Sequence, residues 1–236
     1  MIFCLDRAGF VGDDGAVHHG FMDLAFLRPM PGMVLMAPSD EGELKRCLQL
    51  AYQIDAPSAI RYPRDSVPPC DLDDTLVDPV LRERARSDWE LGVSRVLRRG
   101  TDATIISYGA LTEQALVAAQ RLSEEGIETE VIDARFCKPL DGNMLQRVLR
   151  EDHPVLTLED HALIGGFGAA VLEYAQLHRL PTNWVYRLGH PERLIPHATR
   201  SEQLTEVGLD AVGIASRVKE AVRGARVASE SESLSV

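Results

Sequence analysis

Long apolar runs are missing from this 236-residue sequence. No stretch approaches the ~18 uninterrupted apolar residues that a membrane helix needs, and the start has no basic-then-apolar segment of the secretory kind. The expectation is a soluble, cytoplasmic chain with no membrane partner. Cysteine is scarce too. Cys4, Cys47, Cys70 and Cys137 lie far apart and form no CxxC pair, so neither a zinc site nor a disulfide framework is indicated. Basic residues are outnumbered, 25 against 36 acidic ones, for a net charge of −11, and they are scattered. That field repels a polyphosphate backbone and argues against a nucleic-acid partner. It does not exclude a small phosphorylated substrate, because one or two positioned arginines bind a phosphate locally.

What is present is a hydrophobic content of 45%, enough for one large α/β domain or two smaller ones. Ile2 to Leu5 reads as a buried strand ending at Asp6-Arg7 and Gly9, and so early a buried strand suggests that the chain begins inside a domain. Met33 to Ala37 reads as a second strand, followed by an N-cap at Ser39, a helix carrying Leu44, Cys47, Leu48 and Ala51, and a strand over Ser58 to Tyr62. Strand, helix, strand is the unit of a parallel sheet. Prolines and charges then dominate, and 66–90 is expected to be a linker. Strands and helices alternate regularly after it, with Gly126 closing one helix, which predicts an open, mostly parallel sheet covered on both faces over 91–224. The Ser/Glu-rich 225–236 is expected to be a disordered tail.

Arg7 follows the end of the first strand, and Arg61 and Arg64 lie at or just past the end of the strand Ser58 to Tyr62. In open α/β sheets ligands bind outside the carboxyl ends of strands, so an anion would dock there. Position alone is equally compatible with surface ion pairs. Between these strands runs Gly12-Asp13-Asp14-Gly15-Ala16-Val17-His18-His19-Gly20, a loop with acids beside imidazoles, as proton transfer near neutral pH requires. A polar loop capping a helix is the bland alternative. A metal is not expected, since adjacent histidines seldom ligate one ion and no further spacing completes a set. Gly165-Gly166-Phe167-Gly168 opens a helix, but Val171 stands where a third glycine belongs and no acid follows about twenty residues on. Helix-on-strand packing explains it better than a dinucleotide site.

Asp6-Arg7-Ala8-Gly9, Val11-Gly12, Asp14-Gly15, His18, Gly20 and Asp23-Leu24 closely resemble the pyrimidine-binding domain of the 1-deoxy-D-xylulose-5-phosphate synthase family. The match continues through Ala37-Pro38-Ser39-Asp40-Glu41, Arg61-Tyr62-Pro63-Arg64, Asp133-Ala134-Arg135-Phe136, Lys138-Pro139-Leu140-Asp141, Gly165-Gly166-Phe167-Gly168 and Gly208-Leu209-Asp210. The resemblance implies an α/β fold made of a partial pyrimidine-binding, transketolase-like domain over 1–65 and a transketolase C-terminal-type domain over 91–224. It implies condensation of pyruvate with glyceraldehyde 3-phosphate and loss of carbon dioxide, with thiamine diphosphate and Mg2+ as cofactors, for isoprenoid, thiamine and pyridoxal synthesis. Arg7 and Arg64 would bind the substrate phosphate, while His18 and Asp14 would be catalytic. A homo-oligomer is expected. The residues that activate the cofactor lie upstream in the family, so the expectation is a carboxyl-terminal part that is inactive and binds no cofactor by itself. Two alternatives are a noncatalytic, dimerising module that binds a phosphorylated metabolite, and a β-type subunit of a 2-oxoacid dehydrogenase. Val17 stands where the family usually has threonine, and Asp65 where it often has glycine.

Overall fold

The structure, a computed structural model, describes residues 1–66, 76–81, 83 and 89–233, with side chains as far as 228. Most of the expected linker lies outside the described residues. The first sheet is built from β1 (Ile2–Leu5), β2 (Val34–Met36) and β3 (Ser58–Arg61), all parallel, with helices α1 (Asp23–Leu27) and α2 (Glu41–Gln53) between them. Leu5 pairs with Arg61 across β1 and β3. That register alone makes Arg7 and Arg64, two and three residues further on, neighbours above the same strand ends. β1 is an edge strand, and Phe3 and Cys4 on it are exposed, which corrects the expectation of a buried strand.

The second sheet has the order β4-β6-β5-β8-β9, comprising β4 (Arg95–Arg98), β5 (Ala103–Tyr108), β6 (Thr129–Asp133), β8 (Val155–Ala162) and β9 (Val185–His190). Only β4 runs antiparallel. Its helices are α3 (Thr112–Glu124), α4 (Gly142–Val148), α5 (Phe167–Leu177), α6 (Arg200–Glu206) and α7 (Ala211–Ser233). On α3, Ala115, Leu116, Ala118, Ala119 and Leu122 are buried at helical spacing, and Gly126 at φ +77° ends the helix in the left-handed conformation that glycine adopts without strain. The expected tail is helical as far as Ser233, as a continuation of α7. Once Ile214, Val218 and Val222 anchor a helix in the core, each added residue costs little.

The strand that joins the two sheets leaves no pattern in the sequence. Arg135 adopts φ +57°, so the chain leaves β6 at Asp133 and enters β7 (Phe136–Lys138), which pairs antiparallel with β2 of the first sheet. One apolar core accordingly runs through both halves, with Leu24, Leu35 and Ala59 packed together with Ile106, Ile132 and Phe167.

A buried charge network reinforces this seam. Arg95 reaches Asp40 at 2.8 Å, Glu43 at 3.2 Å and Asp133 at 2.9 Å, while Arg135 grips Glu43 through Nε and Nη2. Trp89 Nε1 donates to the same Glu43 carboxylate. Burial alone would raise the Glu43 pKa, but the Arg95 and Arg135 guanidiniums outweigh it and hold the carboxyl below its ordinary value. Ser39, expected as the N-cap of α2, instead donates to Asp133 at 2.6 Å, and Asp40 caps the helix by accepting from Glu43 N–H.

Candidate functional site

Arg7 and Arg64 converge on one carboxylate. Arg7 Nε donates to Asp14 Oδ2 at 3.1 Å and Arg64 Nη1 donates to Asp14 Oδ1 at 2.8 Å. Both arginine side chains remain about half exposed, at 45% and 54%, so the cradle opens to solvent. The hydrogen bond from Arg7, aided by the charges of Arg64 and Arg7, outweighs desolvation and holds the Asp14 carboxyl below its ordinary pKa. His18 joins the cluster through Nδ1, 2.9 Å from the Asp14 carbonyl oxygen. A carbonyl only accepts, so Nδ1 carries the proton and Nε2 is the free base nitrogen of the neutral ring. Arg7, Asp14, His18 and Arg64, singled out in the sequence, thus occupy one cluster.

The loop that presents them is closed by a pair of backbone hydrogen bonds, Gly9 N–H to Gly20 O at 2.7 Å and Gly20 N–H to Gly9 O at 2.9 Å. Glycine is required at both ends. A Cβ on Gly9, which has φ +76°, would meet the Asp160 carboxylate at 2.0 Å, and one on Gly20 would meet Arg7 O at 2.4 Å. Arg7 itself has φ +59°, a strained conformation for a residue with a side chain and one that surrounding structure must impose.

That structure comes from the far end of the chain, and nothing local in the sequence signals it. Asp160, at the end of β8, accepts Phe10 N–H at 3.2 Å and His190 Nε2 at 2.6 Å. Arg200 donates to Phe10 O, Gln203 Oε1 accepts Gly12 N–H, and His197 Nε2 lies 2.9 Å from Asp13 O. Burial would raise the Asp160 pKa, but the Arg200 charge and the His190 hydrogen bond prevail and hold it ionised far below the usual carboxylate range. Phe10 stacks on His190 with ring centroids 3.8 Å apart.

Arg61, the third strand-end arginine, serves a different purpose. It is buried and committed to Asp23 through Nε and Nη2, and Nη2 also donates to Gly20 O and Asp160 O. It fastens the loop and does not face an incoming anion. The glycine-rich turn before α5 holds no free anion either, because the Glu159 carboxylate accepts both Phe167 N–H and Gly168 N–H at the helix start. Close packing accounts for these glycines: a Cβ on Gly168 would meet Thr157 Oγ1 at 2.5 Å.

Glu159 and His161 lie 3.8 Å apart and are wholly buried, and they respond to acid in opposite senses. Burial pushes Glu159 up to about 7 against the two amide donors. Burial, with Arg61 beside it, pushes His161 down to about 4. The raised Glu159 pKa contributes stability that is present at pH 4.5 and lost as pH rises to 7. The depressed His161 pKa contributes stability that is present above pH 6.5 and lost as pH falls to 4. Between pH 4.5 and 6.5 the two slopes offset each other. Glu159→Gln is expected to uncover the histidine, so that stability falls by about 1.4 kcal/mol per pH unit more steeply on acidification than in the parent chain. Urea unfolding at pH 6.5, 5.5 and 4.5 tests this, and parallel profiles for the two proteins would refute it.

Among the described residues, no group of three or more His, Cys, Asp or Glu is arranged to hold a metal ion. The Asp14 carboxylate is already spent on two guanidiniums. The cluster thus presents two guanidiniums meeting on one carboxylate, with no metal-ligand set among the described residues. Among the described residues, no helix is long and apolar enough to cross a membrane.

Comparison with known proteins gives the same architecture. Residues 1–69 match the transketolase pyrimidine binding domain family and residues 92–214 the transketolase C-terminal domain family. The chain is 45% identical over 225 residues to 1-deoxy-D-xylulose-5-phosphate synthase of Magnetococcus marinus, covering 93% of this chain and 34% of that protein. It is 41% identical over 220 residues to the synthase of Geobacillus thermodenitrificans, covering 93% and 33%. The chain thus spans about one third of the length of these curated relatives. Among solved structures, a split-gene transketolase described as an inactive β4 tetramer is 31% identical with a TM-score of 0.77, covering 94% of this chain and 67% of that one. A transketolase from Pichia stipitis, 18% identical with a TM-score of 0.73, shares the fold over 95% of this chain and 30% of its own.

Proposed function

The chain belongs to the transketolase family, carrying its pyrimidine-binding and C-terminal domains, and from that premise we propose that it forms the substrate-phosphate side of a 1-deoxy-D-xylulose-5-phosphate synthase active site. The observation that carries this reading is the convergence of Arg7 and Arg64 on the two oxygens of one carboxylate. Two guanidiniums that meet on an anion of that size bind a phosphoryl group through charge-assisted hydrogen bonds. Glyceraldehyde 3-phosphate would dock with its phosphate in place of the Asp14 carboxylate. His18, its proton held on Nδ1 by the Asp14 carbonyl, would present Nε2 to take up or return a proton at the substrate's oxygen. Asp14, released from the arginines, would stand beside the reacting carbon centre.

In the whole protein, thiamine diphosphate with Mg2+ would supply the carbanion stabilisation that decarboxylation of pyruvate requires. This chain would bind substrate and handle protons, and no turnover is expected from it alone. The test has two parts. Calorimetry of the chain with glyceraldehyde 3-phosphate is expected to show binding that unphosphorylated glyceraldehyde does not. An assay with thiamine diphosphate, Mg2+ and both substrates is expected to yield no product. Equal binding of the two aldehydes would sink the phosphate assignment, and turnover would sink the expectation of inactivity. A second reading, a noncatalytic sensor of phosphorylated metabolites, is favoured by the same cradle being assembled from this chain's residues alone. Phosphate affinity that is indifferent to the rest of the enzyme would support it.

The protein is proposed to act in the cytoplasm as a homo-oligomer, in isoprenoid and thiamine precursor synthesis. An apolar cavity of about 640 Å³ beside the loop is lined by Phe21, Met22, Phe26, Leu163, Ile164 and Leu194. Met22, Phe26, Ile164 and Leu194 each expose more than half of their surface, and a patch of this kind marks an association surface. Phe26→Asp is expected to shift the chain towards monomer in sedimentation velocity. An unchanged distribution would place the contact elsewhere.

A further inference from the structure

Arg200 touches both arms of the phosphate cradle without being part of it. Its Nε donates to Asp65 Oδ2 at 2.9 Å, one residue past Arg64. Its Nη1 donates to Phe10 O at 2.8 Å, three residues past Arg7, and ion-pairs with Asp160 Oδ2 at 2.6 Å. The side chain is only 11% exposed, so this one planar group is fixed between three partners. Asp160 meanwhile holds Phe10 N–H, and Phe10 is thereby gripped at its amide and its carbonyl together.

The cradle needs such a brace. Arg7 and Arg64 are like charges on half-exposed side chains, and Arg7 sits on strained backbone. With a phosphate in place of the Asp14 carboxylate, the separation of the two guanidiniums depends on how their backbones are anchored. The first-sheet register sets that separation coarsely. We propose that Arg200 is a positioning residue that sets the final distance between Arg7 and Arg64, with Asp65 as the handle by which it holds the Arg64 arm. The inference rests on the reading of Arg7 and Arg64 as phosphate ligands. It also gives a role to Asp65, whose carboxylate is what Arg200 Nε holds on the Arg64 arm.

Charge and positioning predict opposite signs at Asp65. Removing a negative charge beside an anion site strengthens phosphate binding if only the field matters. If Asp65 positions the Arg64 arm, Asp65→Asn weakens binding even though an unfavourable charge has gone. The experiment is calorimetric titration of the chain with inorganic phosphate for the parent, Asp65→Asn, Arg200→Met, the double variant and Arg7→Ala, with thermal unfolding of each. Asp65→Asn is expected to bind phosphate about threefold to tenfold more weakly at an unchanged melting temperature, and to have no further weakening effect in the Arg200→Met background. Asp65 is exposed, so this variant remains informative even if Arg200→Met fails to fold. Unchanged or tighter binding by Asp65→Asn, with Arg7→Ala still abolishing it, overturns the positioning role alone. Phosphate binding that is absent in the parent, or indifferent to Arg7→Ala, overturns the ligand reading and this inference with it.

Discussion

Arg64→Ala is expected to weaken phosphate and glyceraldehyde 3-phosphate binding by about 100-fold, and Arg7→Ala to do the same, because each removes one of two converging charge-assisted donors. The double variant should lose little beyond either single one, since one guanidinium alone supplies only half of the converging donors that hold a phosphoryl group. Lysine at either position is expected to restore only part of the loss. An ammonium supplies the charge but not the planar fork, and its charge is as easily screened, with a Debye length of about 10 Å at 0.1 M salt.

Asp14→Asn separates a ligand from a competitor. The carboxylate now occupies the point on which both arginines converge, so neutralising it removes an internal rival for that position. Phosphate affinity should rise while product formation by the whole enzyme falls. Isothermal titration of the parent, Arg7→Ala, Arg64→Ala and Asp14→Asn checks all of this in one series. Loss of binding in Asp14→Asn comparable to that in the arginine variants would show that the cradle is organised by the carboxylate and does not bind phosphate in its place.

Arg95→Met is expected to cost about 3–5 kcal/mol, the loss typical of breaking a buried ion pair and leaving uncompensated charge. Arg95 is buried and meets Asp40, Glu43 and Asp133 at 2.8, 3.2 and 2.9 Å. Without it Glu43 keeps Arg135 and the weaker contact from Arg46 at 3.4 Å, while the buried Asp40 and Asp133 lose the guanidinium they pair with. A domain is typically stable by about 5–15 kcal/mol, so the variant should be largely unfolded in mild urea. Arg95→Lys should fall between the two, because one ammonium cannot reach three carboxylates with a fixed fork. The loss should extend to the phosphate site, since the network joins α2 of the first half to β4 and β6 of the second. A urea midpoint within experimental error of the parent would mean that the network is replaceable by apolar packing.

Strands and helices were legible wherever short-range periodicity and caps carry the information. The run from Ala103 to Val222 alternates between extended and helical patterns, and β5, α3, β6, β8 and α5 lie close to where that alternation puts them. β4, β7 and α6 were not legible. β7 is three residues long and follows a left-handed Arg135, and α6 is a single short helix opened by a Thr199 capping box. Elements this short bury too little to impress a period on the sequence. Ser39 shows the same limit, because choosing between Ser39 and Asp40 as the cap depends on Asp133, nearly a hundred residues away.

The candidate site divides in the same way. The residues around Arg7, Asp14 and His18, and Arg64 beyond the third strand, were recognisable because parallel strands bring their carboxyl ends to one edge, and the residues just past them become neighbours by topology alone. Which strand-end arginines face solvent was undecidable from position: Arg61 and Arg64 are three residues apart, yet one is buried against Asp23 and the other reaches Asp14. Asp160, His190 and Arg200 gave no local signal, although they hold Phe10 in place. Their hydrogen bonds span up to 190 residues of sequence, and a contact between side chains so distant along the chain leaves no periodicity behind. It exists only once two sheets, joined through β7 and a shared apolar core, have brought the end of β8 and the start of α6 against the loop.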